Sequence, residues 1–244
     1  MEILGCRLDP VDAEQAATII VQRAEQSNAK PLQVVTLGTE MAVYAQHDEQ
    51  FRRVVNTCEL SLCDTVGLLA VARSRGAALC ERVTGIELIE RLCSRAAKSA
   101  LPIYLLGGKP GVAEKAAAAL RQRYPGLAIS GAANGYFDQS DSAQVCSRIR
   151  DSGAKLLLVG LGSPRQEFWL ADYLEQTGCG VGIGVGGSFD VLSGLVERAP
   201  VLWRRLNLEW LYRLVREPQR WRRQLALPHF VWLIATESLR KRTA

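Results

Sequence analysis

The chain has 244 residues, of which 48% are hydrophobic and 23% charged, with a formal net charge of +5. That composition is typical of a folded globular protein and excludes a disordered tail protein, a collagen and a coiled-coil rod. The longest apolar run near the C-terminus, residues 230–235, is shorter than a membrane-spanning helix requires. The first dozen residues contain three acidic side chains and no early basic cluster, so we expect no secretory signal and a cytosolic chain.

Short apolar segments alternate with helical segments along most of the chain. Strands are predicted over residues 3–8, 33–37, 60–63, 103–106, 156–159 and 181–185, and helices over residues 10–27, 40–55 and 112–124. Several of these strands end at glycine turns, and they are apolar throughout, which is typical of strands buried on both faces. We therefore predict an α/β fold in which a parallel sheet is sandwiched by helices.

The cysteine and histidine content restricts the chemistry. The seven cysteines form no C-x-x-C pair and most have apolar neighbours, as reduced core thiols do. His47 and His229 are the two histidines, which is too few for a multi-histidine zinc site, and no G-x-S-x-G motif is present. Acid–base chemistry is therefore expected to fall to a carboxylate.

Residues 199–244 differ from the rest of the chain. They contain ten basic and three acidic residues, together with four of the five tryptophans. Basic side chains interleaved with Trp and Leu fit a surface that lies on an anionic membrane. The alternative is an Arg-rich face that is solvated or packs on the protein. Aromatic residues clustered with aliphatic ones favour lipid or protein over nucleic acid. We predict an α/β body over residues 1–198 and a helical, membrane-proximal appendage over residues 199–244.

Three glycine-rich loops follow predicted strands, at residues 107–111, 160–166 and 184–190. Each could cradle a phosphate or a sugar with backbone N–H groups. Gly182, Gly184 and Gly187 also satisfy the G-x-G-x-x-G spacing of dinucleotide sites, which leaves an NAD(P)-dependent oxidoreductase as an alternative. The chain has no D-x-D pair, so a metal-bound nucleotide diphosphate would lack its usual carboxylate ligands. We predict neither a metal nor a cofactor.

Asp64 is the carboxylate that the sequence singles out. It follows the apolar segment 60–63 and precedes Thr65-Val66-Gly67, where the chain should turn toward the ligand side of the sheet. A carboxylate partly shielded from water at that point can act as a general base. The alternative is that Asp64 is the N-cap of a helix that starts at Thr65.

Gln166 and Asp190 also have two interpretations each. The segment Ser163-Pro164-Arg165-Gln166 has the pattern of a capping box, in which Gln166 would satisfy only the N-cap amide. Asp190 follows a Gly-Gly turn and either holds a ribose or base edge or pairs with a neighbouring Arg.

Nine short motifs occur in a fixed order along the chain. They are TLGTE (36–40), CDTVG (63–67), ERVTG (81–85), LLGGKPG (105–111), GYF (135–137), VGLGSPRQE (159–167), GIGVGGSFD (182–190) leading into RAP (198–200), EWLYRL (209–214) and EPQR (217–220). In this order, over roughly residues 30–224, the motifs resemble the WecG/TagA/CpsF family of glycosyltransferases.

The resemblance implies a fold and an activity. The fold is a Rossmann-like α/β body with a C-terminal helical appendage that helps to close the site and meets the membrane. Members transfer a sugar, commonly of the N-acetylmannosamine type, from a UDP-sugar to a polyprenyl-diphosphate-linked sugar. They invert the anomeric centre and need no metal. Expected partners are these two substrates and the inner face of the cell membrane, where the protein would be peripheral; no nucleic acid is expected, and a homo-oligomer is left open.

The resemblance also implies roles for residues in matching motifs. Asp64 matches the proposed catalytic base, and Arg213, Arg220 and Arg223 match appendage arginines proposed to reach the diphosphate. Thr36 and Gln166 match polar positions near the donor sugar, and Tyr136 and Asp190 lie in segments that line the nucleotide pocket. The remaining residues of the implied substrate-binding set are Arg82, Gly107, Gly108, Gly162 and Gly186.

The chain departs from the family pattern in two places. Gly38 stands where the family often has Asn, and Thr65 stands where Gly is common. The identity of the donor sugar is therefore left open: N-acetylmannosamine, glucose, or an oxidised or acetylated hexose. A non-catalytic, membrane-associated scaffold is the third functional class that the sequence allows. Pro218 interrupts the span of the three arginines, so their shared face would be divided between two helices.

Overall fold

The computed structural model describes residues 1–26, 29–79, 81–206, 208–216, 221 and 225–243. Its centre is a six-stranded sheet in which every neighbouring pair is parallel, in the order β4-β3-β8-β7-β5-β6. A separate two-stranded antiparallel hairpin, β1–β2, lies at the N-terminus. The strands are β1 Glu2–Ile3, β2 Cys6–Arg7, β3 Leu32–Leu37, β4 Leu60–Cys63, β5 Ile103–Gly107, β6 Ile129–Ala133, β7 Leu156–Gly160 and β8 Val181–Gly184.

Helices cover both faces of the sheet. In chain order they are α1 Ala13–Glu25, α2 Thr39–Tyr44, α3 Glu49–Thr57, α4 Val66–Ser74, α5 Gly85–Ser99, α6 Val112–Arg123, α7 Ser142–Asp151, α8 Arg165–Tyr173, α9 Ser188–Leu192, α10 Val201–Arg205, α11 Glu209–Arg216 and α12 Ala226–Thr243. Helices α1, α5 and α6 bury their apolar residues against one face. Helices α2, α3, α4, α7 and α8 cover the other. The predicted α/β architecture is confirmed, and it is Rossmann-like.

Three predicted elements differ from the observed ones. The strand over residues 3–8 is a hairpin, because Leu4 and Gly5 have φ values of 51° and 72° and turn the chain. The helix over residues 40–55 is two helices, since Asp48 accepts a hydrogen bond from Phe51 N and caps a new helix. The first helix starts at Ala13, where a capping box between Asp12 and Gln15 closes its end.

The described part of the predicted appendage, residues 199–244, contains α10, α11 and α12. Helix α12 packs against α2 on the body. Phe230 of α12 is 4% exposed and belongs to the same apolar cluster as α2, α3 and α4. Arg75 of the body forms an ion pair with Glu237 at 2.7 Å. None of the helices in the described ranges has both the length and the apolar character needed to cross a membrane.

Candidate functional site

The turns after β5, β7 and β8 meet at the carboxyl edge of the sheet. Gly107 has φ of 146°, and a Cβ at that position would overlap the main chain of Gly160. Gly108 N donates to Gly160 O at 3.0 Å. A Cβ on Gly160 would in turn lie 2.9 Å from Gly186 O. We call Gly107, Gly108, Gly160 and Gly186 the glycine cradle, since their main chains abut with no side chain between them.

Gly186 opens the cradle toward solvent. Its φ is 53°, in the left-handed region that glycine adopts without strain, and a Cβ there would meet nothing within 4 Å. Gly162, in the turn after β7, likewise has open space where a Cβ would be. These turns therefore expose main chain at the edge where parallel α/β sheets bind ligands.

The loop that carries Tyr136 is fixed against the cradle. Gly135 N donates to Gly108 O at 2.9 Å. The guanidinium of Arg165 donates to Gly135 O at 3.1 Å and to Phe137 O at 2.8 Å, and lies 5.0 Å from the centre of the Phe137 ring. Tyr136 itself is 68% exposed. Arg165 thus holds a loop whose aromatic side chain is available to a base or a sugar, a role that the sequence did not single out.

Asp64 lies at the same edge of the sheet, in the turn between β4 and α4. Its N–H donates to Leu37 O at 2.9 Å, which continues the pairing of β3 with β4. Helix α4 begins at Val66 with Thr65 at the N-cap position. The alternative interpretation of Asp64 as the N-cap is therefore wrong. The Thr65 hydroxyl does not cap the helix but lies 2.8 Å from the Thr39 hydroxyl, which joins the turns after β3 and β4.

The ERVTG segment lies next to the Asp64 turn. Val83 N donates to Cys63 O at 2.6 Å, beside the end of β4. Burial raises the pKa of Cys63 to about 12, and the Asp64 charge adds to the rise, whereas Arg82 and Arg73 oppose it. Arg82 directly precedes Val83, whose N–H bonds to the end of β4, so Arg82 lies close to the turn that carries Asp64.

The start of α5 connects this half of the edge to the glycine cradle. A Cβ on Gly85 would lie 3.3 Å from Ser188 Oγ and 3.4 Å from Val185 O. The first residue of α5 therefore contacts the turn after β8. The structure brings motifs from both halves of the chain together along one continuous edge.

Thr36 and Gln166 are buried beside the cradle. The Thr36 hydroxyl donates to Gly184 O at 3.0 Å. Gly186 N donates to Gln166 Oε1 at 3.0 Å, and Gln166 Nε2 donates to Glu167 Oε1 at 2.7 Å. The capping-box interpretation is wrong, because α8 begins at Arg165 and Gln166 reaches under the turn after β8 instead of back to the N-cap. Contact of Thr36 and Gln166 with a sugar stays a prediction.

The G-x-G-x-x-G spacing in β8 has a packing explanation. A Cβ on Gly182 would lie 2.5 Å from Leu170 Cδ2 of α8, and one on Gly184 would lie 2.7 Å from Gln166 Nε2. These two glycines let α8 pack closely against the sheet. The helix that follows, α9, is only five residues long and carries Asp190 in its first turn. The spacing therefore does not support a dinucleotide site.

The appendage approaches the edge from the β3–β4 side. A Cβ on Gly67, three residues after Asp64, would lie 3.6 Å from Phe230 Cε1. Arg213 lies in α11, but its side chain is outside the described part of the structure, as are Arg220 and Arg223 entirely. Within the described ranges, no group of three or more His, Cys, Asp or Glu side chains is placed to bind a metal ion.

A comparison with known protein families identifies the family of this chain. The sequence model of the glycosyl transferase WecG/TagA/CpsF family matches residues 1–244, which is the whole chain. The seven motifs between residues 36 and 190 lie along the carboxyl edge described above, around the glycine cradle and the Asp64 turn. The chain therefore belongs to the WecG/TagA/CpsF family of glycosyl transferases.

Proposed function

We propose that this glycosyltransferase moves a hexose or N-acetylhexosamine, of the N-acetylmannosamine type, from a UDP-sugar to a polyprenyl-diphosphate-linked sugar. The transfer inverts the anomeric centre and needs no metal. Family membership supports transferase chemistry in the synthesis of cell-surface polymers. The observation that carries the finer proposal is the shared position of two features. The bare main chain of the glycine cradle and Asp64 both lie at the carboxyl edge of the sheet.

The glycine cradle and its loops bind the donor in this proposal. Backbone N–H groups at such turns suit the diphosphate, because they offer donors without a side chain in the way. The exposed ring of Tyr136 and the carboxylate of Asp190 serve the nucleoside. Gln166 and Thr36 hold the turn after β8 in place, next to the sugar.

Asp64 is the base in this proposal. It takes the proton of the acceptor hydroxyl while that oxygen bonds to the anomeric carbon from the face opposite UDP. The bond between that carbon and the diphosphate oxygen breaks, and UDP leaves with the electron pair. Negative charge therefore grows on the diphosphate. Arginines stabilise such charge well. The proposed partners of the diphosphate are Arg82 of the body and three arginines of the appendage, Arg213, Arg220 and Arg223.

The appendage brings the enzyme to its lipid-linked acceptor. Its described residues expose many large apolar side chains, namely Val201, Leu202, Leu206, Trp210, Val215, Trp221, Leu225, Val231 and Trp232. The same segment holds ten basic and three acidic residues. Exposed apolar and basic groups on one segment support binding to the anionic inner face of a membrane, with the protein peripheral to it.

The donor sugar depends on the turns after β3 and β4. A Cβ on Gly38 would lie 3.6 Å from the Thr65 methyl, so the two departures from the family pattern are neighbours. The family often has the side chain of Asn at position 38. Here position 38 is glycine, and the Thr65 side chain supplies volume at this place instead. A donor other than N-acetylmannosamine is therefore included among the candidates.

The test is UDP release from a panel of UDP-hexoses and UDP-N-acetylhexosamines, with a short-chain polyprenyl-diphosphate-linked sugar as acceptor and EDTA present. We expect acceptor-dependent turnover of one donor that EDTA does not reduce. Turnover that stops with EDTA would contradict the metal-independent mechanism. UDP binding without turnover of any donor, on membranes containing the acceptor, would favour the scaffold.

A further inference from the structure

Burial of the Glu167 carboxyl group costs free energy, and the packing of the fold gives no reason for placing a carboxyl group there. Glu167 is 1% exposed and is the one acidic residue among the buried residues that the structure describes. In those same residues its Oε2 has no hydrogen bond of normal geometry, and the Ser163 side chain is the polar group that acts on the carboxyl group besides Gln166. A buried carboxyl group with an unpaired oxygen is destabilising, and native proteins keep such groups where they serve a purpose.

The paired oxygen of Glu167 determines which way the Gln166 amide faces. Gln166 Nε2 donates to Glu167 Oε1 at 2.7 Å, and Gln166 Oε1 accepts from Gly186 N at 3.0 Å. If the amide were flipped, its NH₂ group would face the Gly186 N–H and its oxygen would face Glu167 Oε1. Both contacts would then be repulsive, so Glu167 selects the orientation that accepts from Gly186.

The selected orientation fixes one wall of the glycine cradle. Gln33 Nε2 donates to Glu167 O at 2.9 Å, a main-chain contact that does not involve the carboxyl group. Gly184, above the Gln166 amide, has no room for a Cβ. The turn that begins at Gly186 abuts Gly160 and leads into α9. A change at Glu167 is therefore transmitted to the cradle through one side chain.

We propose that Glu167 is a positioning residue for the donor site, which acts by holding the Gln166 amide so that Gly186 keeps its place in the glycine cradle. The proposal rests on the donor site proposed above. Glu167 contacts no substrate in it.

The role requires an acceptor oxygen at Glu167 and does not require its charge. Burial raises the pKa of Glu167, and the neighbouring Gln166 and Ser163 side chains partly oppose that rise. The ionised and the neutral carboxyl group both present an oxygen that accepts from Gln166 Nε2, and so does an amide. Glu167→Gln should therefore preserve the role and Glu167→Met, which fills similar volume without an acceptor, should abolish it.

The two variants are compared with Gln33→Ala as the control, because Gln33 is buried and its side-chain amide donates to the main chain of Glu167 and not to the carboxyl group. Affinity for UDP is measured by calorimetry, stability by thermal unfolding, and the turn by hydrogen exchange of the Gly186 amide. For Glu167→Met we expect UDP affinity to fall about tenfold and Gly186 to exchange about tenfold faster. Its melting temperature should stay equal or rise, since apolar replacements of buried charges often stabilise.

Glu167→Gln should stay within about threefold of the wild type in both UDP affinity and exchange, and Gln33→Ala should lose stability while keeping UDP affinity. Wild-type exchange at Gly186 in Glu167→Met would overturn the proposal. So would equal losses in the Met and Gln variants, or losses in Gln33→Ala that parallel those of Glu167→Met.

If Glu167→Met does not fold, Glu167→Gln alone tests the proposal, and faster exchange of the Gly186 amide in that variant refutes the role. Hydrogen exchange needs no ligand, so a wild-type protein that fails to bind UDP would refute the donor site without deciding the role of Glu167.

Discussion

The body buries its large apolar side chains, whereas the appendage leaves many of its own exposed. In the body they are collected into three buried clusters on the two faces of the sheet. In the appendage Phe230 is buried, while its neighbours Val231 and Trp232 are 66% and 60% exposed. Large apolar side chains exposed on one segment support our proposal that the appendage binds a second surface.

The contrast also assigns a different task to each face of α12. One face docks on the body through Phe230, through the ion pair of Glu237 with Arg75, and through His229, whose ring stacks on His47 at 5.9 Å. The other face presents Val231 and Trp232 to solvent. A helix of this kind connects whatever binds its outer face to the Asp64 turn beneath its inner face.

Removal of residues 199–244 is the most drastic way to separate the two regions. We expect a folded body with no measurable transfer, because the proposed arginines and the membrane-binding face are lost together. Folding is followed with iodoacetamide at pH 8, which alkylates thiolates. Burial raises the pKa of Cys58 and of Cys93 to about 12, so both thiols should stay unmodified until urea is added. Full activity of the truncated body would contradict the role of the appendage.

Asp64→Asn tests the chemistry of the body alone. Loss of the base should lower transfer by roughly 10²–10⁴-fold, while UDP-sugar binding and membrane binding persist. Asp172→Asn, an exposed carboxylate on α8, is the control and should behave as the wild type. Transfer by Asp64→Asn within tenfold of the wild type would exclude Asp64 as the sole base.

The sequence predicted the strands that are buried on both faces, because an apolar run of the right length has few other interpretations. It missed β6, whose central residues Ser130, Gly131 and Ala132 lack that signal, since an edge strand needs less apolar surface. It also missed the break at Asp48, where a side chain caps a new helix within a continuous helical pattern.

The site was predictable as a set of motifs but not as a set of contacts. Asp64 stood out because it follows a buried strand, and the glycine turns stood out by composition. Glu167 could not be recognised, because glutamate on a helix is normally exposed and its burial depends on Gln33 and Gly184, which are far away in the chain. The docking of Phe230 beside Gly67 likewise depends on tertiary contact alone.

Phe230→Ala should uncouple the two faces of α12. Loss of a buried phenyl ring costs about 3–5 kcal/mol, which should weaken the docking of α12 on the body. We expect about tenfold lower transfer and faster proteolysis within α12, with the thiols of the body still protected. Val231→Ala changes the adjacent, exposed residue and should leave proteolysis of α12 and transfer to a water-soluble acceptor unchanged. Equal effects of the two substitutions would mean that α12 does not act through its buried face.

Trp232→Ala should produce the smallest effect and the one most specific to the outer face. Trp232 is exposed and lies on the same helix as Phe230, with its ring centre 5.9 Å from that of His229. Its loss should weaken sedimentation with anionic vesicles by roughly five- to tenfold, while UDP affinity and the melting temperature stay at wild-type values. Activity on a water-soluble acceptor should also be unchanged, because Phe230 still docks the helix beside the Asp64 turn. If vesicle binding is unchanged, the outer face binds something other than lipid; if activity on the soluble acceptor falls as well, the two faces of α12 are not independent.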